Sequence, residues 1–130
     1  VTLVDSSAWI EFLRDTGSPA CERVSALLTE GAVMTCGPVR MELLAGARDD
    51  VHLVRLRRLL ARATSLGTAP ADFDRAAGLY RACRRQGETV RRLVDCVIAA
   101  HALRAGVPVL HRDVDFEVLA RHTPLELDPL

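Results

Sequence analysis

A single α/β domain with a mostly parallel sheet of about 4–5 strands flanked by helices is what this chain of 130 residues predicts. Three observations carry that expectation. Short apolar runs alternate with longer segments of helical periodicity. The connections lack the two-residue Asn-Gly or Asp-Gly signals of β-hairpins, so consecutive strands are joined by crossovers. The chain is 49% apolar with only 4% aromatics, which is enough for a core and makes that core aliphatic.

The elements follow in order. Leu3-Val4 is a buried strand that ends at Asp5. Ser6 or Ser7 then caps a helix running through Trp9, Ile10 and Leu13. Val24, Leu27 and Leu28 mark a second helix that stops at Gly31, and residues 32–36 form a second strand. Gly37-Pro38 opens a third helix, with Pro38 at a tolerated first-turn position, carrying Val39, Glu42 and Leu43. Asp49-Asp50 begin a fourth, in which Val51, Val54, Leu59 and Leu60 are interleaved with Arg. Residues 64–68 suit a short strand. Residues 70–85 suit a long helix with Phe73, Ala76, Ala77, Tyr80 and Cys83 on its inner side. Residues 95–105 form a nearly all-apolar, buried helix closed by Gly106. A strand at 107–110, a loop at 111–115, a short helix at 116–120 and an edge strand at 125–127 complete the domain, taken as one unit over 1–130.

Composition excludes several chemistries. All seventeen basic residues are Arg. Without lysine there is no Schiff base, no lysine general base and no Walker-type phosphate-binding lysine. Cys21, Cys36, Cys83 and Cys96 form no C-x-x-C pair and read as reduced, mostly buried thiols of a cytoplasmic protein. His52, His101, His111 and His122 show no zinc-ligand spacing with them. No apolar stretch reaches the roughly 18 residues of a membrane span, so no membrane partner is expected. The net charge of zero hides an asymmetry: residues 1–50 carry −4, residues 51–92 carry +7 and residues 93–130 carry −3. A basic middle between acidic ends points to a polyanion held beside an acidic site, with the Arg-rich helices at 55–62 and 81–92 as the candidate surface.

Three acids conflict with their surroundings. Asp5 follows an apolar strand, Glu42 sits in Met41-Glu42-Leu43-Leu44, and Asp95 opens the most hydrophobic helix of the chain. Burying a lone carboxylate costs several kcal/mol or forces it to stay neutral. A cation that gathers several of them removes the conflict, and an oxygen-only set suits Mg²⁺ or Mn²⁺. Each acid also has a plain structural reading. Asp5, Asp95 and Asp113 can be helix caps, Asp95 with Arg91 or Arg92 as a surface partner, and Glu42 can pair with an arginine. Asp5 and Asp113 both fall just beyond strand ends, where parallel sheets place their chemistry.

In sequence order, the segments Leu3-Val4-Asp5-Ser6-Ser7-Ala8-Trp9-Ile10, Met41-Glu42-Leu43-Leu44-Ala45-Gly46, Asp95-Cys96-Val97-Ile98-Ala99-Ala100-His101-Ala102 and Val109-Leu110-His111-Arg112-Asp113-Val114-Asp115-Phe116 resemble the motifs of PIN-domain ribonucleases. The small size resembles the VapC-type toxins of bacterial toxin–antitoxin pairs. The resemblance implies a Mg²⁺-dependent endoribonuclease, with Mn²⁺ able to substitute. Its site would be Asp5, Glu42, Asp95 and Asp113, all of them metal-binding, with Asp115 as a candidate fifth ligand and Ser7 lining the pocket. It also implies an RNA substrate, a small cognate antitoxin and a homodimer. His111 stands where Ser or Thr is frequent and is given no role. Three other readings compete. Asp113-Val114-Asp115 after an apolar strand imitates the nucleophile motif of haloacid dehalogenase-type phosphatases, and an acidic pocket also suits a receiver-like phosphoacceptor. Both chemistries usually want a lysine. The third is a binding module whose acids are only caps. Within the nuclease reading itself, a PIN nuclease of RNA processing outside any toxin pair is the alternative.

Overall fold

The computed structural model describes residues 1–130 as seven helices around a four-stranded, wholly parallel sheet. The strands are β1 (Thr2–Val4), β2 (Val33–Cys36), β3 (Thr64–Leu66) and β4 (Val109–Leu110), in the order β3-β2-β1-β4. Thr2 pairs with Val33, Leu3 with both Met34 and Val109, and Val4 with Leu110. The helices are α1 (Ser6–Leu13), α2 (Pro19–Glu30), α3 (Gly37–Ala45), α4 (Asp50–Leu60), α5 (Pro70–Arg85), α6 (Leu93–Ala105) and α7 (Val114–His122).

The strand order fixes where a site can form. From β1 the chain moves outward to β2 and β3, then crosses back to place β4 on the other side of β1. The connections therefore diverge between β1 and β4, and a crevice opens beyond their carboxyl ends. Asp5 is the first residue after β1, and its N–H donates to Leu110 O of β4 at 2.9 Å. Leu3 and Val4 are completely buried, as a central strand covered on both faces requires.

Local signals account for most boundaries. Gly31 and Gly106 end α2 and α6 in the left-handed conformation, at φ 67° and φ 68°, where a side chain would be strained. Ser18 and Asp49 cap α2 and α4 by accepting from Cys21 N and His52 N.

Several expectations need correction. The cap of α1 is Asp5, not Ser6 or Ser7; its Oδ2 accepts from Ser7 N at 3.0 Å. Helix α6 begins at Leu93 with Arg92 at the cap position, so Asp95 lies inside the first turn and is no cap. Helix α7 starts at Val114 rather than 116, because Asp113 accepts from Asp115 N and caps it there. Residues 86–92 are not helical, so the basic segment 81–92 is a helix end followed by a connector. On α5 the buried stripe is Asp72, Ala76, Leu79 and Cys83, while Phe73 is 57% exposed. Asp72 turns the helix inward because Ala69 N and Arg104 both donate to its carboxylate. The expected strand at 125–127 is one parallel bridge, Leu127 with Val109, held by the Arg23–Asp128 ion pair.

The core is mainly Leu, Val, Ile and Ala, but its two largest members, Trp9 and Phe116, are aromatic and fully buried. All four cysteines are free and buried. Burial pushes the Cys36 thiol up to about 11 and that of Cys96 to about 12, so both are inert packing groups.

Candidate metal centre

Four separate elements deliver five carboxylates to one end of the sheet: Asp5 from β1, Glu42 from α3, Asp95 from α6, and Asp113 and Asp115 from the β4–α7 junction. Asp5, Asp95 and Asp115 are each no more than 2% exposed. Glu42 and Asp113 lie nearer the rim, with side chains 19% and 13% exposed.

Each acid is held differently. The Oδ2 atom of Asp5 accepts from Ser7 N at 3.0 Å and Ser7 Oγ at 2.5 Å. Ser7 Oγ itself accepts from Arg112 N at 2.9 Å, so one hydroxyl ties β1 to the loop after β4. Glu42 accepts from Ser6 Oγ at 3.1 Å and from the Arg92 guanidinium. Asp113 accepts from Asp115 N at 2.9 Å and from Arg91 Nη2 at 3.0 Å. His111 Nδ1 accepts from Asp113 N at 3.0 Å, and its ring lies against Phe116. Asp115 is the most heavily braced: Arg91 N, Arg92 N and Arg91 Nε all donate to it, at 3.0, 3.1 and 3.3 Å.

Oxygen atoms of Asp95, Asp113 and Asp115 lie within 4.8 Å of one another, the spacing of a metal-ligand set. Asp5 and Glu42 stand outside this trio but within its field: Asp5 adds repulsion at Asp95, and Glu42 at Asp5. Burial first, then the hydrogen bond Asp95 makes to Asp115 and the Asp5 charge, push the Asp95 carboxyl up to about 8. Burial also raises Asp5, against the lowering effect of Ser7. Asp115 is likewise desolvated by burial, but the Arg91 and Arg92 N–H groups and the Asp95 hydrogen bond outweigh that and hold it low. Asp95 and Asp115 are therefore a coupled pair in which Asp95 is the weaker acid.

Do these residues suit a divalent cation? Only four buried side-chain polar atoms lack any hydrogen-bond partner: Asp5 Oδ1, Asp95 Oδ2, Trp9 Nε1 and Thr35 Oγ1. Two of the four are oxygens of the cluster acids, and a buried bare carboxylate oxygen is costly unless something positive completes it. The oxygen-only donor set fits a hard cation of the Mg²⁺ or Mn²⁺ kind.

The plain structural readings hold in part. Asp5 and Asp113 are indeed helix caps and Glu42 is paired with Arg92, yet in each of these three capping or pairing roles the carboxylate still faces the cluster. The support that Ser6 and His111 give was missed. The sequence offered Arg91 or Arg92 as a partner of Asp95 and an arginine for Glu42; the structure instead pairs Arg91 with Asp113 and Asp115 and Arg92 with Glu42 and Asp113. Two adjacent arginines just ahead of a buried aspartate were the available signal.

A carboxylate cluster at the switch point of a small parallel sheet is the arrangement that defines the class of this α/β protein. The chain belongs to the PIN domain family, whose model matches residues 2–122. It is 50% identical over 127 residues to ribonuclease VapC11 of Mycobacterium tuberculosis, with 95% of each chain covered. VapC ribonuclease Mb1587 of Mycobacterium bovis matches to the same extent. Among solved structures, VapBC2 from Rickettsia felis, bound to a DNA fragment from their promoter, superposes with a TM-score of 0.79 at 14% identity, covering 98% of this chain and 96% of that one.

Proposed function

We propose that this chain is a metal-dependent endoribonuclease acting as the toxin of a toxin–antitoxin pair. The single observation that carries the reading is the pair of buried, unpartnered oxygens, Asp5 Oδ1 and Asp95 Oδ2, the second belonging to the carboxylate that groups with Asp113 and Asp115. The 50% identity to proteins named VapC ribonucleases supports the choice of substrate.

In this reading Asp5, Asp95, Glu42 and Asp113 hold Mg²⁺, with Mn²⁺ as a substitute. When bound, the divalent cation neutralises charge on the RNA phosphate and makes water a competent nucleophile near neutral pH. The chain's own residues do the positioning. Ser7 fixes Asp5 and leaves its second oxygen free. Glu42, on the rim and steadied by Ser6, orients the attacking water or receives its proton. Asp115 accepts from Asp95 and from the connector backbone, so it sets the Asp95 carboxylate rather than binding the ion itself.

Partners follow from the same reading. A cleft of about 430 Å³ is lined by Ile10, Leu13, Leu43 and Leu56 and reaches Glu42. It suits an apolar segment of a small antitoxin, whose arginine then enters the acidic pocket and pairs with carboxylates bidentately. The protein acts as a cytoplasmic homodimer on RNA. No helix is long and apolar enough to cross a membrane.

The phosphatase alternative is weaker on geometry. Asp113-Val114-Asp115 follows β4, an edge strand of the sheet, and the Asp115 carboxylate is already filled by N–H donors.

The test is incubation of the purified chain with single-stranded RNA and Mn²⁺. Internal cuts that stop with chelator and in Asp5→Asn are expected. Metal-independent cutting, or full activity in Asp5→Asn, would sink the reading. For the toxin role, co-expression with the neighbouring small gene should yield a stable complex; a harmless monomer without such a partner argues for a nuclease of RNA processing.

A further inference from the structure

Only two of the chain's arginines pair with acids of the cluster, and they are neighbours: Arg91 and Arg92, in the extended connector that leads into α6. Their backbones are fixed alike. Both N–H groups donate to Asp115, and Arg92 O receives Asp95 N at 3.1 Å. Their side chains behave differently. Arg91 grips the β4–α7 junction, with Nε on Asp115 and Nη2 on Asp113. Arg92 reaches across the mouth of the site. Its Nη2 meets Glu42 Oε2, and its Nη1 lies 4.0 Å from Asp113 Oδ2. This bridge is all that tethers a side chain which is 47% exposed.

The bridge occupies oxygens that a divalent cation also needs. Five carboxylates face two guanidinium groups here, so a negative surplus remains to draw a cation in. A cation and Arg92 then compete for Glu42 and Asp113. Loss of that competition frees the Arg92 guanidinium without moving its backbone, which Asp115 continues to hold. A planar fork of N–H donors at the rim of the site, adjacent to neutralised carboxylates, matches two oxygens of a phosphodiester.

We propose that Arg92 is a substrate-binding residue of the cleavage site: in the metal-free chain it bridges Glu42 and Asp113, and metal binding releases it to grip the scissile phosphate of RNA. Arg91 stays on Asp115 and is a positioning residue. The inference rests on the ribonuclease reading for its second half only; the competition with metal stands on the ion pairs alone.

The test compares wild type, Arg92→Gln and Arg92→Lys by Mn²⁺ calorimetry without RNA and by RNA cleavage at saturating Mn²⁺. Thermal melts verify that the variants fold. Arg92→Gln is expected to bind Mn²⁺ about two- to fivefold more tightly, the effect of removing one half-exposed ion pair. It should also lose about 10- to 100-fold in kcat/KM, chiefly through KM for RNA. Arg92→Lys keeps the charge but not the fork, and should recover only part of that loss. Unchanged Mn²⁺ affinity in Arg92→Gln overturns the bridge, and unchanged kcat/KM overturns the phosphate contact. If wild type binds Mn²⁺, Arg92→Gln binds it more tightly and neither cuts RNA, the ribonuclease reading has failed and the bridge has not.

Discussion

At the scale of single residues, the cluster acids divide by the state of their oxygens. Asp115 has every oxygen engaged, whereas Asp5 and Asp95 each keep one bare. This gives a sharp contrast between Asp113 and Asp115. Asp113→Asn should remove most turnover and cost about 1 kcal/mol or less, because asparagine caps a helix nearly as well. Asp115→Asn turns an amide N–H₂ towards backbone donors and should cost about 1–3 kcal/mol. A denaturant midpoint for each variant, alongside cleavage at saturating Mn²⁺, separates the two. The pH dependence follows from Asp95. Its carboxyl ionises near 8 when folded, against 3.8 for the ordinary group. Between those values the folded chain keeps a proton that the unfolded chain has released, so this residue destabilises the metal-free fold progressively as pH rises through that window. Asp95→Asn should therefore stabilise the metal-free protein by roughly 2–4 kcal/mol at pH 7 and by little at pH 4. Melting curves at the two pH values, with chelator, measure it.

At the scale of elements, the sequence revealed most of the fold and part of the wiring. Helix α5 was legible to the residue from Pro70 to Arg85, and the strand ends at Asp5 and near Asp113 were legible from apolar runs that stop at acids. Its inner face was not legible, because Asp72 is buried through Arg104 and Ala69, partners whose proximity no periodicity encodes. The cap of α7 was legible in Asp113, but the helix was expected to begin at 116, because Val114-Asp115 carries no helical pattern and the first turn is set by Asp113 accepting from Asp115 N. Asp5, Glu42 and Asp95 were conspicuous because each violates the apolar pattern around it; the bridge that Arg92 makes to Glu42 and Asp113 was not, because no local pattern brings residues 42, 92 and 113 together. The Asp72 network is structural and lies apart from the metal cluster: His101 Nε2 meets Thr68 Oγ1 at 2.8 Å and Arg104 pairs with Asp72. Asp72→Ala should cost about 1–3 kcal/mol by leaving Arg104 Nε and Ala69 N without an acceptor, Arg104 keeping only Gly67 O. Mn²⁺ affinity should be unchanged, and a fall in it would show that α5 and the site are coupled.

At the scale of the whole molecule, the uneven charge takes on a spatial meaning. Arg55, Arg57 and Arg58 on α4, Arg62 just beyond it, and Arg81, Arg84 and Arg85 on α5 are all exposed, while Asp5, Glu42, Asp95, Asp113 and Asp115, from the two acidic chain ends, gather at the crevice. Such a charge distribution suits a polyanion over its faces and a cation at its centre. If about three arginines contact phosphates, the slope of log affinity against log salt for single-stranded RNA should be about −2. A catalytically inactive variant measured by fluorescence anisotropy gives that slope, and a value near zero would return those arginines to plain solvated helix faces.

The central claim is that buried carboxylates from separate elements converge to hold a divalent cation, and calorimetric titration of Mn²⁺ into the metal-free chain at pH 7 tests it most directly. Repeating the titration in buffers of different ionisation enthalpy counts the protons released. Binding should be saturable and expel about one proton, the one Asp95 retains. Asp95→Asn should weaken or abolish binding. Absence of binding, or equal affinity in wild type and Asp95→Asn, would contradict it.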